Sequence, residues 1–244
     1  MQAKGDGLVR TLFADITGTG ALRGYAVLDD DQAALRAAAL AHDPKGPVRL
    51  GHVMGDGYIA FTVDDVSTNG RYQGIVELDD QDLGDAAMRW YENSEQLNTL
   101  VICAAAESPD GWQAVALMLQ RIAGEGGNGD AMTWSDAAAR AKSDDAWHTA
   151  KTLLGSVTRD ELLDPALSPE NIVFRLFNTM APHSTQARPV VDQCRCNVEK
   201  IEAVLQQLAS DEVEDLADED GNLTITCEFC KTERAYHKDV MSSV

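Results

Sequence analysis

Four cysteines in two close pairs constrain this chain more than any other feature of its sequence. One residue separates Cys194 from Cys196, two separate Cys227 from Cys230, and thirty lie between the pairs. Zinc favours four thiolates in a tetrahedron, and closely spaced pairs supply two ligands from each of two turns. We therefore predict that these four cysteines bind one structural zinc ion.

The segment between the pairs predicts a helix followed by an acidic loop. Apolar residues recur at intervals of three and four within residues 197–209, which indicates an amphipathic helix. Seven of the ten residues in Asp211–Asp220 are acidic, and charge of one sign at that density favours solvation. The segment Leu223–Cys230 then predicts a strand that carries the second pair. Structural zinc contributes roughly 10–16 kcal/mol in small metal-binding domains, so we expect this module to unfold without it.

Thiolates are the oxidisable form of cysteine, and this leaves two interpretations of the cluster open. In the first, oxidation releases the ion and removes the cross-link, so the module is a redox switch. In the second, the cluster is a structural zinc knuckle that never cycles. The fifth cysteine, Cys103, lies in an apolar run, where we expect a small buried side chain.

The rest of the chain indicates an α+β protein. We predict a strand-rich α+β N-terminal domain (residues 1–126), a helical middle region (127–190) and a C-terminal zinc module (191–244). Within the first domain, short segments rich in β-branched and aromatic residues are separated by turn residues, which is typical of strands. They include residues 48–53 (VRLGHV), whereas Asp31–His42 predicts a helix. In the middle region, Ser168 followed by Pro169 predicts the start of another helix.

Composition and motifs exclude several classes of function. Forty acidic and twenty basic residues give a net charge of −20, which disfavours nucleic-acid binding. No apolar run approaches the length of a membrane-spanning helix, and the N-terminus lacks the apolar segment of a secretory signal, so we predict a cytoplasmic protein. Gly18–Arg23 lacks the third glycine of a dinucleotide fingerprint, and the histidines are scattered. We therefore predict that the chain is not an enzyme.

The sequence resembles the heat shock protein 33 family, the bacterial redox-regulated holdase chaperones. The cysteine spacing is similar to that family's zinc centre, and the second pair has the form CEFC followed by Tyr236. Upstream, Tyr91–Thr99 is similar to the family's stretch Y-x-x-S-E-Q-x-x-T. The resemblance extends over nearly the whole chain.

The resemblance implies a zinc-bound reduced form that is inactive. Oxidation would form the disulfides Cys194–Cys196 and Cys227–Cys230, and the active form would dimerise and hold unfolding client proteins without ATP. It also implies that residues 197–209 and their flanks form a metastable linker. Family members begin several tens of residues before the position that matches Met1, so we expect an N-terminal domain that is truncated relative to the family.

Two other functions fit a four-cysteine module. A zinc-ribbon adaptor would bind one folded partner and keep its zinc under mild oxidant. A thiol oxidoreductase would use Cys227 and Cys230 and turn over with a dithiol reductant. Redox motifs of that kind normally lie at a helix N-terminus, whereas the residues around CEFC favour a knuckle.

Overall fold

A computed structural model describes most of the 244 residues. The described residues are 1–31, 34–35, 37–38, 46–65, 68, 70–109, 111–122, 137–183, 185–205, 207, 215–218 and 220–238. They form two compact units: Met1–Thr11 with Val27–Gln186, and Leu12–Ala26 with Ala187–Val244. The domain boundaries predicted at residues 126 and 190 stay predictions.

Strands predominate in the first half of the chain and helices in the middle. In chain order the elements are β1 (Gln2–Gly5), β2 (Val9–Ile16), β3 (Ala21–Leu28), α1 (Leu50–Met54), β4 (Gly57–Asp65), β5 (Gly70–Glu77), α2 (Leu83–Trp90), β6 (Thr99–Ser108), β7 (Gly111–Gln120), α3 (Ala137–Leu154), α4 (Arg159–Leu162), α5 (Pro169–Phe177), β8 (Val191–Asp192), α6 (Val198–Leu205), β9 (Asn222–Thr226) and β10 (Glu233–His237). The predicted α+β class is confirmed.

A sheet with the strand order β5-β4-β1, continued by the start of β2 and the end of β3, forms one part of the first unit. Strand β4 pairs antiparallel with β1 and β5, so that Gln2 opposes Ala60 and Tyr58 opposes Glu77. Helix α2 begins after a capping box in which Asp82 accepts from the backbone of Asp85. Its Trp90 ring lies 5.4 Å from the Phe61 ring of β4, which brings α2 onto the sheet.

The hairpin β6–β7 forms the other part of the first unit together with helices α4 and α5. The two strands pair antiparallel from Thr99–Gln120 to Ser108–Gly111. One face of the hairpin packs against the helices around four buried residues, Ala104, Leu162, Leu163 and Ile172. Helix α5 begins where the sequence predicts, because the Ser168 side chain accepts from the Asn171 N–H and Pro169 occupies the first helical position.

One strand prediction in this unit is wrong. Residues 48–53, predicted as a strand, contain helix α1, whose first N–H groups are satisfied from a distant segment. Leu50 N–H donates to Gln81 O (2.7 Å) and Gly51 N–H donates to Asp79 O (3.0 Å). The helix predicted at residues 31–42 lies largely outside the described residues.

Cys103 is exposed, which contradicts the prediction of a buried side chain. Alternation along β6 turns it to the face opposite the buried Ala104. Partial desolvation by neighbouring atoms, followed by the charge of Asp82, still raises the pKa of the Cys103 thiol.

The second unit is built on the remaining parts of β2 and β3. Strand β8 pairs parallel with β3, with Ala21 opposite Val191. Farther along, β9 and β10 form an antiparallel hairpin. Its small core contains the buried residues Leu205 and Leu223, flanked by Ile201, Ala217, Ile225 and Tyr236.

The helix predicted at residues 197–209 is confirmed as α6, which begins at Val198 and is described as far as Leu205. The acidic segment 211–220 is described only in part. Within the described ranges, no helix is long and apolar enough to cross a membrane.

Candidate metal centre

All four predicted cysteines of the second unit come together in space. Cys194 and Cys196 lie between β8 and α6, whereas Cys227 and Cys230 lie in the turn between β9 and β10. Their sulfur atoms all lie within 4.8 Å of one another. Two of these distances, Cys194 to Cys227 and Cys196 to Cys230, are 3.6 Å each and join one sulfur from each pair.

These distances fit a single tetrahedral ion. With a metal–sulfur bond of about 2.3 Å, the sulfurs of a tetrahedral site are about 3.8 Å apart. All four thiols are free in the structure, and a disulfide would need about 2.05 Å. Four thiolates are soft ligands typical of zinc or iron–sulfur sites. The cysteines are therefore close enough to bind one metal ion.

Backbone hydrogen bonds shape the turn that carries the second pair. The Cys227 N–H donates to Thr232 O (3.0 Å), and the Lys231 N–H donates to Cys227 O (2.8 Å). Lys231 adopts a left-handed conformation with φ of 54°, which reverses the chain immediately after Cys230. In the first pair the Cys196 N–H donates to the Cys194 sulfur (3.4 Å). Both turns therefore direct two sulfurs toward one point.

The pKa values of the thiols differ because their hydrogen-bond partners differ. Hydrogen bonds from the hydroxyl and then the backbone of Thr232 lower the pKa of Cys230 to about 6. The backbone N–H of Cys230, and to a smaller extent that of Phe229, lowers the pKa of Cys227. Hydrogen bonds of the Cys196 thiol with the sulfur of Cys194, and to a smaller extent with that of Cys230, raise the pKa of Cys196 to about 11. Cys227 and Cys230 are thus more thiolate-like at neutral pH than Cys196.

Two arginine side chains lie near the sulfurs, although the chain as a whole is strongly acidic. Arg234 Nη1 lies 3.6 Å from the Cys196 sulfur. The carboxylate of Asp15 raises the pKa of Arg23 most, and the charges of Cys194 and Cys227 raise it further. Four thiolates carry more negative charge than a divalent ion cancels, so these guanidinium groups suit a thiolate–metal centre.

The cysteine turns also contact the β2–β3 hairpin through Asp15. Arg195, the residue inside the first pair, donates to the Asp15 carboxylate. Arg23 donates to the same carboxylate, with its Nη2 2.9 Å and its Nε 3.1 Å from Oδ2. Burial alone would raise the pKa of Asp15, but the hydrogen bonds and charges of Arg23 and then Arg195 outweigh it and lower the pKa.

Phe229, a residue inside the second pair, packs on the same hairpin. Its ring centroid lies 5.5 Å from that of Phe13 and 5.0 Å from that of Tyr25, both edge to face. The Arg23 guanidinium lies 3.9 Å from the Phe229 ring centroid. The sequence did not predict these contacts with the β2–β3 hairpin, because the only local indication of them was the identity of the residues between the cysteines.

A cavity of about 240 Å³ borders the cluster. Its lining comprises Arg23, Gly24, Asp192, Cys194, Phe229 and Cys230. Cys230 is the most exposed of the four cysteines. Small solutes therefore have a path to at least two of the sulfurs.

Comparison with known proteins identifies the family of this chain. The family model described as "Hsp33 protein" matches residues 1–237. A 33 kDa chaperonin from Caulobacter vibrioides is 31% identical over 245 residues, covering 98% of this chain and 74% of the relative. The 33 kDa chaperonin of Nitrosococcus oceani is also 31% identical, covering 98% of this chain and 70% of its own length.

A solved structure shares the fold. The crystal structure of the 33 kDa chaperonin (heat shock protein 33 homolog) from Thermotoga maritima matches with a TM-score of 0.71 at 17% identity. The match covers 99% of this chain and 74% of that one. The chain therefore belongs to the Hsp33 family of chaperones.

Proposed function

We propose that this chain is a redox-regulated, ATP-independent holdase, inactive when reduced and zinc-bound, and active after oxidation. The observation that carries the proposal is the convergence of four thiols from two segments over a very small core. The sulfurs lie within 4.8 Å of one another, whereas the module's core cluster, among the described residues, contains two buried side chains, Leu205 and Leu223. Membership of a chaperone family supports the same function.

In the reduced form, Cys194, Cys196, Cys227 and Cys230 would hold the ion. When bound, zinc supplies a four-coordinate cross-link between the chain after β8 and the β9–β10 turn. Two buried leucines contribute about 3–6 kcal/mol, whereas structural zinc contributes roughly 10–16 kcal/mol. Folding of this module therefore depends mainly on the thiolates and the ion they hold.

Oxidation by a peroxide would remove this cross-link. In each pair, two thiolates give up two electrons and join as a disulfide, while two protons and one hydrogen peroxide become two waters. We propose the pairing Cys194–Cys196 and Cys227–Cys230, in keeping with the family resemblance. Those disulfides leave the two segments unlinked, whereas disulfides across the two 3.6 Å contacts would keep them joined. Mapping the disulfides therefore distinguishes oxidation that separates the two segments from oxidation that keeps them joined.

Loss of the cross-link would expose apolar surface for clients. Helix α6 and strand β9 meet at Leu205 and Leu223, and their separation leaves both side chains without cover. Unfolding proteins display apolar segments of matching character, so no nucleotide is needed for the contact. We also propose dimerisation of the oxidised form, and a cytoplasmic location, where thiols stay reduced until oxidative stress.

The test measures zinc, thiols and client protection on the same samples. Peroxide with mild heat should release about one zinc per chain, and the oxidised protein alone should suppress aggregation of a heat-denatured enzyme. Cys230→Ser should reduce zinc binding, whereas Cys103→Ser, outside the cluster, should behave like the wild type. Retention of zinc under peroxide, or equal protection by both forms, would instead favour an adaptor or a passive binder.

A further inference from the structure

Asp15 of strand β2 connects the hairpin β2–β3 to both cysteine turns at once. It accepts from Arg195, whose backbone forms the single-residue bridge between Cys194 and Cys196. It also accepts from Arg23, at 2.9 Å from Nη2. A single carboxylate thus bridges two guanidinium groups that would otherwise repel each other.

The second turn is reached through Arg23. Its guanidinium lies over the ring of Phe229, 3.9 Å from the centroid, so the same cation contacts a residue between Cys227 and Cys230. The Phe229 ring edge also meets Phe13 and Tyr25, whose own rings are stacked 5.7 Å apart. Polar and aromatic contacts from one hairpin therefore fix a residue inside each of the two half-sites.

We propose that Asp15 is a positioning residue that, with Arg23 and Phe229, holds the two cysteine turns in metal-binding geometry and thereby sets how readily peroxide opens the centre. The inference rests on the proposed redox function and adds to it a determinant of the switching threshold. Asp15 acts through Arg195 and Arg23 and touches neither the metal ligands nor the oxidant.

The physical reason is that contacts which position the cysteine turns also oppose release of the metal. The Asp15–Arg195 contact and the contacts of Phe229 form only while both turns stay against the hairpin, so their free energy favours the metal-bound arrangement. The Asp15–Arg23 pair lies within the hairpin and orients both side chains. The ion pairs are also shielded. The Asp15 side chain is 26% exposed and that of Arg23 22%, compared with 60% for Asp64 and 73% for Arg71 in the pair between β4 and β5. Solvent screening therefore weakens the Asp15 pairs less than that surface pair.

The experiment compares Asp15→Asn with Asp64→Asn in the full chain. The reduced proteins are loaded with zinc or with cobalt, whose visible absorption reports the geometry of a thiolate site. Asp15→Asn should bind one metal yet release zinc about threefold to tenfold faster at a fixed peroxide concentration. Its cobalt spectrum should differ from that of the wild type. Asp64→Asn should match the wild type in both, and Asp15→Glu should restore much of the lost retention.

Several outcomes would overturn the inference. Identical zinc-release rates and cobalt spectra for Asp15→Asn and Asp64→Asn would show that Asp15 does not position the turns. If Asp15→Asn fails to fold, Phe229→Leu tests the aromatic side of the same contacts, and an unchanged cobalt spectrum in that variant would be equally damaging. A wild type that keeps its zinc under peroxide refutes the proposed function instead, while the cobalt spectra still decide whether Asp15 positions the site.

Discussion

Truncation of Leu223 to alanine tests how far the cysteine module depends on its metal. Leu223 lies on β9, is 2% exposed and forms the buried core with Leu205, which is 4% exposed. Leu→Ala substitutions in protein cores cost about 2–5 kcal/mol, through lost burial and the cavity that remains. That is a large part of the ~3–6 kcal/mol expected from two buried leucines, yet well below the roughly 10–16 kcal/mol of a structural zinc. Leu223→Ala should therefore remain folded when zinc is bound.

The effect should appear when zinc is withdrawn. Reduced protein is titrated with a chelator while zinc release and far-ultraviolet ellipticity are followed together. Since about 1.4 kcal/mol corresponds to a tenfold change in an equilibrium constant, Leu223→Ala should weaken apparent zinc affinity by at least about tenfold. Leu216→Ala is the matched control, because the Leu216 side chain in the same unit is 63% exposed and its removal leaves no cavity.

Two results would refute this reasoning. Equal shifts for Leu223→Ala and Leu216→Ala would mean that the small core does not share its free energy with the metal centre. A wild-type module that keeps its ellipticity after complete zinc loss would mean that the core is sufficient alone. Neither result is compatible with a module held mainly by its thiolates.

Three further predictions concern other parts of the structure. Lys231→Gly should be nearly neutral and Lys231→Val should cost about 1–2 kcal/mol in thermal melts of the zinc form, because φ at this position is 54°. The pKa of Asp15 is lowered in the folded state, so the stabilisation by its carboxylate is present above about pH 4 and is lost as the pH falls through the folded-state pKa. Urea unfolding at a series of acidic pH values should therefore show a weaker pH dependence of stability for Asp15→Asn than for the wild type. Ser168→Ala removes the cap on α5 and should lower the free energy of unfolding by about 0.5–2 kcal/mol without changing zinc content.

Features encoded by short stretches of sequence were predictable. The spacing of Cys194, Cys196, Cys227 and Cys230 implied a shared site, and their sulfurs do converge. Helix α6 followed from apolar periodicity, and the start of α5 followed from Ser168 and the proline after it. In each case a local rule and the tertiary structure favour the same outcome.

Features that depend on distant partners were not predictable. Helix α1 replaces the expected strand because carbonyl groups of Asp79 and Gln81 accept its first N–H groups. Cys103 is exposed because alternation along β6 turns its side chain to the face opposite α4 and α5. The contact of Asp15 with Arg195 joins residues 180 positions apart, and no local pattern signals it.

That separation also has a consequence for biosynthesis. The ribosome delivers residues 12–26 well before their partners in the same compact unit, from Ala187 onward. Contacts of such high sequence separation form slowly, because a long loop must close before they contribute. During synthesis, Phe13 and Tyr25 of the hairpin β2–β3 therefore lack their Phe229 contacts until the residues after Ala187 have emerged. The cysteine turns can therefore be positioned against this hairpin only after the hairpin has been exposed for the synthesis of the 160 residues between them, Val27–Gln186.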